Sequence, residues 1–138
     1  MEVRDAVEDD AESLAELADA PTDVMRNLVH DRTVRVAEDP DPNGDAETNL
    51  GGFVSFDARE GTVYVTQLAG TTAACDRLLD EPIRFADAEN MAVELLVEED
   101  RTEVRTAVER EDFEDCGPGP TFDGRPTVRY RLETNGTQ

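Results

Sequence analysis

From Met91 to Val97 the chain is apolar on both sides of a two-residue alternation. Met91, Val93, Leu95 and Val97 form one set, and Ala92 and Leu96 make most of the other. In an extended strand the two sets point to opposite faces of a sheet. A strand apolar on both faces must be covered on both, so it predicts a sheet with helices packed on its faces. Thr127 to Glu133 follows the simpler rule. Val128, Tyr130 and Leu132 alternate with Arg129 and Arg131, as in an antiparallel strand with one face in the core.

The rest of the chain supplies the partners of these strands. Met1 to Ala6 reads as a short first strand with Val3 inward. Asp9 or Asp10 offers a cap to a helix carrying Ala11, Leu14, Ala15, Leu17 and Ala18 at helical spacing, and Pro21 ends it. Asp23 can cap a second, short helix with Val24, Met25, Leu28 and Val29. Three strands follow, over Arg32–Glu38, Gly51–Ala58 and Thr62–Leu68. The turn-rich, acidic stretch 39–49 separates the first two, and Glu60-Gly61 makes the next turn. Thr71 or Thr72 opens a helix whose stripe is Cys75, Leu78, Leu79, Ile83 and Ala86; Pro82 on that stripe predicts a kink or a break. Asp100-Arg101-Thr102-Glu103 resembles a capping box with Asp100 as the cap, before a helix with Val104, Ala107 and Val108 inward. Gly117-Pro118-Gly119-Pro120 reads as an irregular connection. This order predicts an α/β fold: a mixed sheet of six or seven strands with about four flanking helices. The expected organisation is one domain over residues 1–133 and a frayed tail over 134–138.

Charge narrows the function. The 138 residues hold 34 Asp or Glu against 13 basic residues, a formal net charge of −21, and every basic residue is Arg. Such a surface repels phosphate backbones and anionic headgroups, so neither nucleic acid nor a membrane is an expected partner. No apolar run approaches the roughly 20 residues that cross a bilayer. The N-terminus, without a basic patch and a following apolar stretch, reads against a secretory signal. Two cysteines, Cys75 and Cys116, are too few for a disulfide framework; they could pair with each other, but two buried free thiols are the reading that suits a cytosolic protein. Excess carboxylate, Arg without Lys, abundant Ala and Val and a single Ile (Ile83) together look like a salt-adapted archaeal proteome. At about 1 M salt the screening length is about 3 Å, so this charge is tolerable there and opposes compaction in dilute buffer.

The element order, over essentially the whole chain, resembles the GCN5-related N-acetyltransferase (GNAT) family. Val3 to Ala11 is similar to its usual start, a strand passing through an acidic turn into the first helix, and Glu109 to Glu114 is similar to its stretch after the fourth helix. The resemblance implies that acyl-coenzyme A lies in a wedge between splayed fourth and fifth strands. Its pyrophosphate would rest on a loop of the form Gln/Arg-x-x-Gly-x-Gly/Ala leading into the third helix. Gln67-Leu68-Ala69-Gly70-Thr71-Thr72 matches Gln-x-x-Gly-x and has Thr72 at the last small position. These six residues are the implied coenzyme-binding set. The plainer alternative is that Gly70 makes a strand-to-helix turn and Thr71 or Thr72 only caps the helix.

Two further departures concern the chemistry. Aligning the family's Tyr-x-x-x-Gly-Phe on Phe113 puts Val108 where many members carry a proton-donating Tyr, and Asp112 at the Gly. No catalytic base is identified. Glu94 lies among apolar neighbours, where a raised pKa would suit base work, or else it pairs with an Arg. Tyr64 reads as core or rim packing. His30, the single His, reads as a capping or surface residue, and Cys75 as packing. The acidic run from Asp39 to Glu47 could hold Ca²⁺ or Mg²⁺ weakly, a solvated loop being the default; no metal is expected as a cofactor.

The resemblance thus implies an acetyl-CoA-dependent N-acetyltransferase acting on a small-molecule or protein amine. The alternative is a catalytically inactive domain of the same descent that binds a protein or senses a ligand. A homodimer through the final strand, with Val128, Tyr130 and Leu132 as its apolar face, is compatible with either.

Overall fold

The computed structural model describes residues 2–39, 49–121 and 124–134. The elements run β1 (Glu2–Asp5), α1 (Ala11–Ala18), α2 (Thr22–Asp31), β2 (Thr33–Asp39), β3 (Asn49–Arg59), β4 (Thr62–Gly70), α3 (Thr72–Ala88), β5 (Ala92–Glu98), α4 (Thr102–Arg110), β6 (Glu114–Pro118) and β7 (Thr127–Leu132). The strands make one mixed sheet in the order β1-β2-β3-β4-β5-β7-β6. All neighbours are antiparallel except β4 and β5, which are parallel and joined by α3 as a crossover. The mixed α/β architecture expected from the element order is the one observed.

The two faces of the sheet have separate cores. On one, Val63, Val65, Val93, Leu95 and Val97 meet Cys75, Leu78 and Leu79 of α3 and Val104, Ala107 and Val108 of α4. On the other, Leu14 and Met25 from α1 and α2 meet Val34, Val36, Phe53 and Ala69. Each fully buried Leu or Met contributes about 1.5–3 kcal/mol relative to exposure. The N-terminal turn is fixed by charge: Arg4 donates from Nη1 and Nη2 to the two oxygens of Asp10, each at 2.9 Å, and from Nε to Glu38.

Several local expectations need correction. Pro82 does not break α3, which is continuous from Thr72 to Ala88. Cys75, Leu78, Leu79, Pro82 and Ala86 are all buried on one stripe, and that burial outweighs the roughly 3 kcal/mol an interior Pro costs. Arg101, not Asp100, occupies the cap position of α4, and neither α2 nor α4 has a side-chain cap. The Glu114–Pro118 stretch is an edge strand paired with β7, so Gly117 and Pro118 belong to the sheet. Val128 and Tyr130 are buried against the chain's own core, and Leu132 is half-buried. Cys75 is buried as expected, but Cys116 is exposed. Residues 135–138 of the expected tail lie outside the described residues.

Candidate functional site

The parallel pairing of β4 with β5 stops early. It runs from Thr62 opposite Ala92 to Val65 opposite Leu95 and then ends. Beyond Val65, β4 continues to Gly70 beside β3, while β5 continues to Glu98 beside β7. The two strands therefore part and leave a wedge. Its origin is a β-bulge in β4. Ser55 faces Gln67 and Phe56 faces Val65, so Thr66 is the extra residue. A bulge bends its strand and increases the local twist. Here the bend is pinned, because Thr66 Oγ1 lies 2.5 Å from Ser55 Oγ and donates to the Ser55 carbonyl at 3.2 Å. The β4 edge from Thr66 onward has no strand on the β5 side, so backbone groups on that edge point into the wedge.

A cavity of about 260 Å³ fills the wedge, with Thr66, Gln67, Leu68, Leu96, Arg101 and Val104 among its walls. It leads to a second hollow of about 300 Å³ over Gly70, Asp100, Arg101, Thr102 and Glu103. The N-terminus of α3 begins beside Gly70. Thr71 caps it, its hydroxyl accepting from the Ala74 amide at 3.1 Å. The Cys75 amide bonds the Thr71 carbonyl. This leaves the amides of Thr72 and Ala73 as the first-turn donors without an intrahelical partner.

The six residues singled out in the sequence are thus brought together but not as a loop. Gln67, Leu68, Ala69 and Gly70 are the end of β4, Thr71 is the cap, and Thr72 is the first residue of α3. Gly70 has a packing reason of its own. Its φ is 133°, and a Cβ there would lie 2.3 Å from the Gly51 carbonyl oxygen and 2.5 Å from Gly52 Cα. Thr72 also has a local task, donating across to the Glu103 carbonyl at 3.3 Å and so tying α3 to α4. Two wall residues went unnoticed in the sequence. Thr66 is one, because a bulge depends on the register between two strands and leaves no local signal. Arg101 is the other. It is the one cation on both hollows, and in the sequence it stands only as part of a capping box. Its nearest carboxylate is Glu98, at 3.9 Å.

The remaining candidates fall to their plainer readings. Val108 is fully buried in the α3–α4 core, while Asp112 takes φ 68°, the left-handed conformation for which Gly is the usual residue. The alignment at this position therefore fits the backbone and leaves no proton donor at Val108. Glu94 is committed to Arg131 at 2.8 Å and Arg129 at 3.6 Å. Tyr64 is half-buried under the Arg59 guanidinium, 5.4 Å from the ring centroid. His30 is exposed and bonds Glu8 at 2.7 Å. Burial pushes the Cys75 thiol up to about 12, with Asp76 and Glu103 adding to the shift. The acidic run considered for Ca²⁺ or Mg²⁺ lies, apart from Asp39, outside the described residues. Among the described residues no three His, Cys, Asp or Glu side chains are grouped to hold a metal, and no helix is long and apolar enough to cross a membrane.

No protein-family model matches the sequence, and no curated protein matches it either. Solved structures do match the fold. Arabidopsis thaliana NAA60, in complex with a bisubstrate analogue, superposes with a TM-score of 0.75 at 16% identity over 98% of each chain. Ard1 from Thermoplasma volcanium gives 0.74 at 15% identity over 96% of this chain and 97% of its own. A Desulfovibrio desulfuricans protein described as of the GNAT acetyltransferase family gives 0.69 at 18% identity over 96% of this chain and 98% of its own. At such identities the likeness establishes the fold: a GNAT-type mixed sheet with helices on both faces.

Proposed function

We propose that this chain is an acyl-CoA-dependent N-acetyltransferase of the GNAT type, acting on a small-molecule or protein amine. The observation that carries the reading is the wedge, where β4 leaves β5 at Val65 and presents an unpaired backbone edge running to the N-terminus of α3. The donor set suits the coenzyme. Backbone groups near Leu68 would orient the thioester, which supplies the acyl group. Gly70, Thr71 and Thr72, with the amides of Thr72 and Ala73, would receive the pyrophosphate. Arg101 adds a cation on the facing wall, against Asp100 and Glu103 beside it. Holding amine and acyl donor together in one cleft supplies proximity, the largest contribution that needs no dedicated acid or base.

The composition supports a salt-rich cytoplasm as the setting, in an archaeal cell of that kind. The Arg-only basic complement and a net charge of −21 oppose a polyanionic coenzyme in dilute buffer, and molar salt screens that repulsion. The test is calorimetric titration with acetyl-CoA in molar and in dilute potassium chloride. Binding should strengthen with salt. Absence of binding at millimolar acetyl-CoA in molar salt would remove the reading.

One observation favours a second reading. Val108 is sealed in the core where many family members carry an acid, which suits a domain that binds the coenzyme or a partner without transferring the acyl group. Coenzyme binding with no acetyl transfer to any amine would select it.

A further inference from the structure

The wedge opens on its far side into a third hollow, of about 460 Å³. Val65, Thr66, Leu95, Leu96 and Glu98 line both spaces, so the hollow adjoins the wedge directly. It lies on the sheet face that carries α1 and α2, but those helices pack on β2, β3 and β4. Beyond them β5 and β7 line the hollow with Glu94, Leu96 and Arg129, and Tyr64 and Arg59 stand on the opposite rim. The walls are partly apolar: Leu96 is 38% exposed, unusual for a Leu in this chain.

The charges around this hollow are not equally committed. Glu94 is held by Arg129 and Arg131, and Glu98 by Arg125 at 3.3 Å and Arg101 at 3.9 Å. Each of these carboxylates already faces two guanidinium groups, and Arg129 has its partner in Glu94. Arg59 differs. Among the described residues it forms no ion pair with any carboxylate. What holds it is the face of Tyr64, which positions a guanidinium at the rim, and among the described residues its donors make no hydrogen bond. An Arg fork with unspent donors fits a carboxylate in two parallel bonds.

We propose that this hollow is the acceptor site and that it selects an amine bearing a carboxylate, such as an α-amino acid or a short peptide with a free C-terminus. Arg59 takes the carboxylate, Leu96 and Tyr64 bound the apolar part, and the amine points to the wedge at Thr66. Arg59 is a specificity residue and touches no reacting atom. The inference rests on the acyltransferase reading for its use of the amine, but not for the binding itself.

The test is equilibrium binding to the free protein in molar salt, using the proteinogenic amino acids, their dipeptides and the matching α-carboxamides as probes. At least one acid should bind tenfold or more tighter than its carboxamide. Arg59→Gln should abolish that difference, leave the carboxamide unchanged and leave acetyl-CoA affinity unchanged. Arg59 is exposed, and an unaltered melt of the variant confirms the fold. Equal binding of acids and amides, an Arg59→Gln effect common to both, or silence of every probe at millimolar concentration would overturn the proposal. Failure of acetyl-CoA to bind would remove the acyltransferase reading alone, because the acid-against-amide comparison needs no coenzyme.

Discussion

The hydroxyls of Ser55 and Thr66 lie 2.5 Å apart across the bulge at which β4 leaves β5. The two groups are not equivalent. Ser55 is fully buried and Thr66 is exposed. Thr66→Val therefore strands a buried Ser hydroxyl, at a cost of about 1–3 kcal/mol, whereas Ser55→Ala removes the buried group itself and should cost about 1 kcal/mol or less. Urea melts in molar salt should rank Thr66→Val as the more damaging change, and the reverse order would show that the bulge is not pinned by this pair. Because the same bend opens the wedge, Thr66→Val should also weaken acetyl-CoA binding several-fold.

Gly70 allows β4 to finish against the backbone of β3. An Ala there meets a carbonyl oxygen at 2.3 Å and must hold φ 133°. Clash and strain together should cost about 2–4 kcal/mol. Thr72→Ala, which loses only the bond to the Glu103 carbonyl, should cost less than about 1 kcal/mol. Chemical denaturation without ligand checks both. A Gly70→Ala variant as stable as the parent would contradict the packing role of this glycine. Thr72→Ala is the cleaner probe of coenzyme contacts, since it leaves the strand end intact.

These cases show what the sequence could and could not convey. Elements that bury a stripe were legible, because burial imposes a period: Val104, Ala107 and Val108 on α4, or Val93, Leu95 and Val97 on β5. The Thr71 cap was among the options for the same local reason. The wedge was legible only through resemblance. Its physical cause is the register of Ser55 against Gln67, a relation between residues twelve apart that no window of sequence contains. Arg59 was invisible because the want of a carboxylate partner belongs to the folded surroundings and not to any local pattern; among the described residues Arg26 and Arg77 share it, and of the three only Arg59 lies on the hollow. Pro82 misled because its cost is local and its compensation, burial of the whole α3 stripe, is not.

The two thiols should react very differently. Cys75 is fully buried with its thiol pushed up to about 12, so almost none of it is thiolate at pH 8. Cys116 is exposed on the edge strand. Iodoacetamide at pH 8 should label the native protein once per chain, mass spectrometry should place the label on Cys116, and Cys116→Ser should remain unlabelled until denatured. Rapid labelling of Cys75 in the native state would mean that α3 opens far more readily than its packing implies.

Asp10 is held below its ordinary value, first by the paired bonds from Arg4 and also by the Val7 amide at 2.8 Å, against the opposing effect of burial. A carboxyl depressed in the folded state stabilises the protein above its unfolded pKa, about 3.9, and the contribution is lost as pH falls through the folded pKa. Asp10→Asn should therefore cost about 1.5–3 kcal/mol at pH 7, the range for hydrogen bonds to a charged group. The gap between parent and variant should close as the solution is taken well below pH 4. A gap independent of pH would show that shape, not charge, holds the N-terminal turn.

Glu111 behaves in the opposite sense. Its pKa is raised, first by burial, then by a hydrogen bond with Asp80 and by the negative charges of Asp80, Asp76 and Asp112. With the folded value above the unfolded one, about 4.3, the native state binds more proton in the interval between them. The stabilisation is complete below the unfolded value and disappears as pH rises through the folded one. Above the folded value the ionised carboxylate stands among like charges with no proton to share. Glu111→Gln should raise stability at pH 7 by up to about 1 kcal/mol in dilute buffer and by less in molar salt, where exposed charges are screened. Below pH 4 the variant should lose that advantage. A Glu111→Gln variant no more stable than the parent at pH 7 in either buffer would mean that the α3–α4 carboxylates have already relaxed apart.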